Sequence, residues 1–341
     1  MLGTYGGLWQ FAGGPFAFHQ KPDMHHRRID VHHHIVPPSY VAWLRGVGIH
    51  EAGGRDLPAW SPEDALRVMD EHFIETAVVS VSTPGVCPTP DTRREEARHR
   101  SREVNETAAD LVRNHPGRFG FFATLTLPDV DGALAEAAYA IDSLRASGII
   151  LLANTHGRYL GDPDDAPLFE ELNRRKAVLF VHPSEIVGPP APDVAPFAAD
   201  FLLDTSRAAY RLVRNGFIRR YPDLKIILSH AGGFVPYASY RMAGAIALET
   251  SRPLEDVLDD FRSFYFDTAI SSTPAALPSL MAFAKPGHVL FGSDWPFAPS
   301  AGVALFAGML DAYAGLDDAG HAAINRGSAE RLFPQFAPES P

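Results

Sequence analysis

Eight short apolar stretches, nearly all separated by helical patterns, constrain this chain more than any other feature. They fall at 29–31, 76–81, 120–124, 148–152, 177–181, 225–229, 264–267 and 289–292. A strand that recurs after each intervening helix builds a parallel sheet, because a parallel neighbour needs a long crossover. No Pro- or Gly-rich linker divides the 341 residues into two cores. Eight β/α units over this length predict a TIM barrel, a (β/α)8 fold. The competing architecture is an open doubly wound sheet, but no Gly-rich phosphate fingerprint follows the first stretch. Among the helices, Ser61-Pro62-Glu63-Asp64 reads as an N-cap with Pro in the first turn. Further helices are expected at 92–114, 131–146, 167–175 and 203–220, with a helix-like stretch at 40–44, another helix after His230 and helices from the last strand to the C-terminus.

In such a barrel, chemistry sits at the C-terminal ends of the strands. That filter selects His32 and His34 after the first stretch, His182 after the fifth, His230 after the sixth and Asp294 after the eighth. His32 and His34 stand two residues apart, so a strand projects both imidazoles from one face and turns His33 to the other. Each residue alone has a plainer reading. A run of histidines occurs on surfaces and in tags, a single His after an apolar run is often a hydrogen-bonded core residue, and Asp294 before Trp295-Pro296 can cap a turn. All five falling on strand ends favours a metal site. Three imidazoles and a carboxylate suit a borderline-soft divalent cation with positions left open. His32, His34, His182 and Asp294 are the candidate ligands. His230 is a candidate acid or base, since an imidazole titrates near neutral pH. Asp30 is expected to support the site rather than touch the metal.

Composition narrows the partners. A formal net charge of -11, from 41 acidic against 30 basic residues, leaves no basic surface for nucleic acid or an anionic membrane. The one cysteine, Cys87, cannot form an intramolecular disulfide or a thiolate-rich metal site. A reducing, cytoplasmic setting fits. No segment approaches the roughly 18 apolar residues of a membrane span, and no basic segment precedes an apolar run at the N-terminus. Residues 1–24, rich in Gly and aromatics, are expected to be an N-terminal arm or a disordered extension, with 25–335 forming one catalytic barrel domain.

The motifs Asp30-Val31-His32-His33-His34, Val181-His182-Pro183, Ser229-His230-Ala231-Gly232-Gly233 and Phe291-Gly292-Ser293-Asp294-Trp295-Pro296 resemble the amidohydrolase superfamily. Within it they are similar to the non-hydrolytic branch around α-amino-β-carboxymuconate-ε-semialdehyde decarboxylase. Pro58-Ala59-Trp60-Ser61-Pro62-Glu63, Pro84-Gly85-Val86, Arg118-Phe119-Gly120-Phe121-Phe122-Ala123 and Leu160-Gly161-Asp162-Pro163 bring the resemblance nearer to the 6-methylsalicylate decarboxylase type. It implies one divalent metal, zinc first and manganese second, held by His32, His34, His182 and Asp294, with His230 catalytic. It also implies that Arg241 reaches a neighbouring subunit's site, hence a homodimer. Arg55 matches a substrate-carboxylate arginine less closely, and an exposed loop charge explains it equally. Trp60 and Phe297 are candidates to line a ring pocket, with core packing as the plainer account. At the end of the fourth stretch stands Leu152-Ala153-Asn154 rather than a lysine, which argues against a binuclear hydrolase.

The expected activity is metal-dependent, non-oxidative release of CO2 from a small aromatic carboxylic acid of the salicylate type, with Asp294 and His230 handling the proton. The alternative on the same scaffold is a hydrolase or hydratase in which His230 activates a metal-bound water against a lactone, amide or unsaturated acid. A catalytically dead barrel serving as a binding scaffold is the third reading. It predicts no bound metal.

Overall fold

The computed structural model of the chain describes residues 27–188 and 191–338. The expected N-terminal arm lies outside them. Eight parallel strands follow one another round a single sheet in sequence order. They are β1 (Arg28–His34), β2 (Ile74–Ser80), β3 (Phe119–Thr124), β4 (Gly148–Leu152), β5 (Val178–His182), β6 (Lys225–Leu228), β7 (Tyr265–Asp267) and β8 (Val289–Leu290). Helices cross between successive strands, and the expected TIM barrel is what forms. The residues following β8 bond back to β1. Val31 N–H donates to the Phe291 carbonyl at 3.0 Å, Asp294 N–H to that of His32 at 2.7 Å, and His34 N–H to that of Trp295 at 2.7 Å.

Two apolar layers result. Inside the barrel, Ile29, Val31, Phe122, Phe180, Ile227 and Leu290 pack together, with Phe333 entering from a C-terminal helix. Outside it, alternate strand residues such as Phe121, Ala123, Leu179 and Leu228 meet the surrounding helices. Phe180 is the floor of the upper chamber. Fully buried, it stacks on Phe122 at 5.3 Å and meets the His32 ring edge-on at 4.9 Å.

The first strand departs from strict alternation. Its pairing with β2 runs Asp30 with Ala77 and then His33 with Val79, so Val31 and His32 together face one partner residue. This extra residue is a bulge, which re-aims the side chains beyond it. Val31 therefore lies in the interior layer while His32 and His34 enter the chamber above it. His33 turns away, as expected, onto Trp295 and the Asp30 carboxylate.

Elsewhere the expected elements form with local corrections. The helix expected over 203–220 is two helices, Asp200–Arg214 and Phe217–Arg220, because Gly216 adopts a left-handed backbone at φ 75°. The alanine-rich helix stops at Asp142 rather than 146. The polar loop before Trp60 carries a small hairpin, Glu51–Ala52 with Arg55–Asp56. Just beyond the Pro-rich excursion after β5, Phe197 meets that hairpin, its N–H donating to the Gly53 carbonyl at 3.2 Å.

Because Phe180 supports both the interior layer and His32, Phe180→Ala is expected to cost about 3–5 kcal/mol. Phe180→Leu should recover most of that loss. Urea denaturation of the three proteins checks it, and an unchanged midpoint for the alanine variant would contradict the role of this ring.

Candidate metal centre

Five side chains converge in the chamber at the C-terminal ends of the strands. His32, His34, His182, His230 and Asp294 are all buried. His32 Nε2 lies 3.1 Å from His34 Nε2 and 3.2 Å from Asp294 Oδ1, and His34 Nε2 lies 3.1 Å from the same oxygen. Donor atoms of His32, His182, His230 and Asp294 lie within 4.8 Å of one another. Ligands about 2.1 Å from a zinc-like ion stand roughly 3.0–3.4 Å apart, so the His32, His34 and Asp294 spacing has the right scale.

The hydrogen bonds on the far sides of the rings decide what this centre wants. His182 Nδ1 donates to the Pro183 carbonyl at 2.9 Å, while His34 Nδ1 faces both the carbonyl and the hydroxyl of Ser80, each at 3.2 Å. A carbonyl can only accept, so His182 carries its proton on Nδ1 and turns the Nε2 lone pair toward the centre. His32 Nδ1 faces Asp267 Oδ2 at 2.7 Å. Converging lone pairs and a carboxylate repel one another unless a cation stands among them. The chamber is therefore built for a divalent metal.

Electrostatics point the same way. Burial alone would depress His32, but the Asp267 and Asp294 carboxylates outweigh it and push the ring up to about 10. Burial holds His34 below its usual range, and His182 well below it with neighbouring imidazoles adding to the effect. Burial would raise Asp294, yet His32, His230 and His34 hold its carboxyl well below the usual carboxylate range. The site concentrates negative potential on one buried point, where either a proton on His32 or a metal cation satisfies it.

The backbone carrying these groups is strained. His230, Ala231, Ile270 and Asp294 have φ of 54°, 56°, 52° and 62°, and each such non-glycine residue costs about 1–3 kcal/mol. Two buried carboxylates hold the strained turns. Asp30 Oδ1 accepts from the N–H groups of His32 and Ser293, each at 3.0 Å, while Oδ2 accepts from Ser293 Oγ at 2.5 Å and His33 Nδ1 at 3.0 Å. This agrees with the supporting role expected of Asp30. Asp267 performs the matching task at β7, and the sequence reading missed it. Applying the strand-end filter to Tyr265-Phe266-Asp267 would have found it.

A cavity of about 200 Å³ opens onto His182, His230 and Asp294, with Phe197, Phe201 and Ile270 among its apolar walls. Arg55 and Phe297 line it as well. The Arg55 guanidinium sits 3.9 Å over the Phe197 ring and donates to the Phe297 carbonyl at 2.8 Å. Half-burial lowers its pKa, and the nearby Asp294 carboxylate opposes that shift. Trp60 is not among the lining residues; it packs partly buried on the outer apolar layer. Arg241 is exposed on the helix Val235–Thr250 and does not line the cavity of its own chain.

An Amidohydrolase family model matches residues 29–335. Decarboxylase yanB of Aspergillus niger is 41% identical across 89% of this chain and 86% of its own. The 6-methylsalicylic acid decarboxylase of Penicillium expansum is 38% identical across 89% of this chain and 95% of its own. A crystal structure of an amidohydrolase II aligns with a TM-score of 0.85 at 29% identity, covering 90% of this chain and 99% of that one.

His32 stands near 10 against an ordinary 6.5, so in chelator-treated protein the folded chain holds a proton that the unfolded chain releases. That contribution to stability is fully present below pH 6.5 and lost as pH rises toward 10. Metal binding displaces the same proton, so zinc affinity should rise about tenfold per pH unit over this window. Thermal unfolding with EDTA and with zinc, from pH 6.5 to 10, checks both trends. A chelated protein whose stability rose across the window would overturn the assignment.

Proposed function

The chain belongs to the amidohydrolase family, and from that premise we propose that it is a metal-dependent decarboxylase releasing CO2 from a salicylate-type acid, 6-methylsalicylate or a related hydroxybenzoate. The observation that carries this reading is the pairing of a single cation-seeking centre with an apolar cavity that has one arginine at its wall. Its size and lining suit one substituted benzene ring bearing a carboxylate. We assign His32, His34, His182 and Asp294 as ligands, zinc as the first choice of metal and manganese as the second. When bound, the divalent ion supplies a Lewis acid for the substrate's carboxylate and ortho-hydroxyl pair.

The remaining steps belong to this chain's own side chains. Arg55, held by Phe197 and the Phe297 carbonyl, is placed to draw the anionic substrate into the cavity. Phe197, Phe201 and Phe297 exclude water and bracket the ring. A proton must then add to the ring carbon that bears the carboxylate. The C–C bond breaks, CO2 leaves, and the bonding pair returns to the ring to restore aromaticity. Asp294 is held ionised by its histidine neighbours and so has no proton of its own to give. Its Oδ2 faces His230 Nε2 at 3.5 Å, an ion-pair contact between the two candidate proton carriers. We therefore place the donor in the His230–Asp294 pair, with Asp294 the delivering group.

The same reading covers assembly and location. Tyr237, Tyr240 and Leu248, on the helix that carries Arg241, are 88%, 60% and 87% exposed. This apolar face supports a homodimer, which would bring Arg241 toward the partner. No described helix is long and apolar enough to cross a membrane. We place the protein in the cytoplasm, with residues 25–335 as its one catalytic domain.

Turnover of a hydroxybenzoate panel by the zinc- or manganese-loaded protein, with lactones and amides as controls, tests the proposal. The expected outcome is CO2 and 3-methylphenol from 6-methylsalicylate with no hydrolysis of the controls; the opposite pattern would establish the hydrolase alternative. Asp294→Asn should lower kcat by about 10²–10⁴-fold. Wild-type turnover by that variant would remove Asp294 from the proton pathway. Arg55→Ala should act mainly on KM, and an unchanged KM would return Arg55 to a structural role.

A further inference from the structure

We infer that Asp267 is the positioning residue of the centre, setting which nitrogen of His32 meets the metal and, through its second oxygen, the backbone of His230. The inference rests on the metal-site reading above. Asp267 is fully buried at the end of β7. Among the described residues its only ion-pair partner is His32. Its two oxygens are divided between two tasks. Oδ2 faces His32 Nδ1 at 2.7 Å, and Oδ1 accepts from the backbone N–H groups of His230 and Ala269, both at 2.9 Å. One rigid carboxylate thus joins a candidate ligand on β1 to the turn after β6 that carries the candidate acid–base residue.

The neighbouring strand is shaped for this contact. At Gly292 a Cβ would stand 2.8 Å from the His32 Cβ and 3.2 Å from the Asp267 Cβ, so only a residue without a side chain lets the pair meet.

The division of labour between the two oxygens makes a sharp chemical prediction. In Asp267→Asn the two backbone donors hold the amide oxygen in the Oδ1 place. The amide NH2 must then face His32 Nδ1. To accept from it, Nδ1 has to give up its hydrogen, and the neutral ring moves that proton to Nε2. Nε2 is the atom 3.1 Å from His34 Nε2 and 3.2 Å from Asp294 Oδ1. A near-isosteric change at a residue that does not itself line the cavity thereby removes one lone pair from the centre. A purely structural role predicts the reverse order, with Asn tolerated better than Ala because it keeps the shape and the bonds to His230 and Ala269.

Zinc affinity by chelator competition separates the two. We expect Asp267→Asn to bind zinc about 10–100-fold more weakly than wild type, and no better than Asp267→Ala, with thermal unfolding confirming the fold. Near-wild-type affinity for the Asn variant would overturn the inference. Should neither variant fold, ¹⁵N-histidine NMR of the zinc-loaded wild type decides it. His32 must carry its proton on Nδ1 with Nε2 on zinc, and attachment through Nδ1 would overturn the inference. Neither measurement requires turnover. A wild type that binds no zinc would sink the metal reading itself, whereas zinc-binding wild type with an unaffected Asn variant would sink only the role of Asp267.

Discussion

The seam where β1 meets the chain leaving β8 does two things at once, because the peptide groups that close the barrel belong to the residues that carry its chemistry. Asp294 donates its backbone N–H to the His32 carbonyl at 2.7 Å, while its side chain reaches the imidazoles of His32 and His34. Neither relation is independent of the other. If the seam opened, the ligands on β1 and the carboxylate after β8 would separate, and a cation held between them resists that separation. Asp30 reinforces the same line with four accepted hydrogen bonds, two of them from Ser293 and two from β1's own residues. A buried carboxylate is costly unless its lone pairs are satisfied. Here every donor it needs lies on the two chains it joins.

Much of this was legible in the chain itself, and the reasons differ from residue to residue. The eight strands could be read because each is a short apolar run and parallel strands buried on both faces need little else. His182, His230 and Asp294 could be read because a strand end is the one place in a barrel where a polar residue after an apolar run has a purpose. The bulge in β1 could not. Strict alternation puts His32 and His34 together on the face opposite Ile29 and Val31, yet all four side chains point into the barrel. The extra residue that permits this is a property of pairing with β2, not of local sequence. Arg55 was offered only by the family resemblance, with an exposed loop charge as its equal alternative. Its place at the cavity depends on a small hairpin and on contact with Phe197, nearly 150 residues downstream, which periodicity does not reveal. Trp60 misled for the complementary reason, since an aromatic beside a motif packs against helices as readily as against a ligand.

A chain with a formal net charge of -11 must still attract an anionic acid. The structure resolves this locally. The cavity brings the Arg55 guanidinium within electrostatic reach of Asp294, and the chamber beneath it is organised to hold a cation. Both positive charges lie among low-dielectric aromatic walls, where a short-range attraction is screened less than on the surface. Overall charge acts across the outer surface, while a ligand in the cavity meets the field of the groups that line it.

The strain at the mouth completes this picture. Of the ten non-glycine residues in the left-handed region among the described residues, four gather at this mouth. His230 and Asp294 need that backbone to aim their side chains inward from chains that are turning away into helices. Such turns persist only where something over-determines them. Asp267 does so for His230, through the N–H it accepts, and Asp30 does so for the turn before Asp294, through both donors of Ser293. The two carboxylates occupy equivalent posts on either side of His32, and neither is needed as a ligand. Their value is that they convert backbone strain into fixed side-chain direction. A metal centre needs that direction set before the ion arrives, because an imidazole that must first find its orientation loses affinity in proportion to the freedom it gives up.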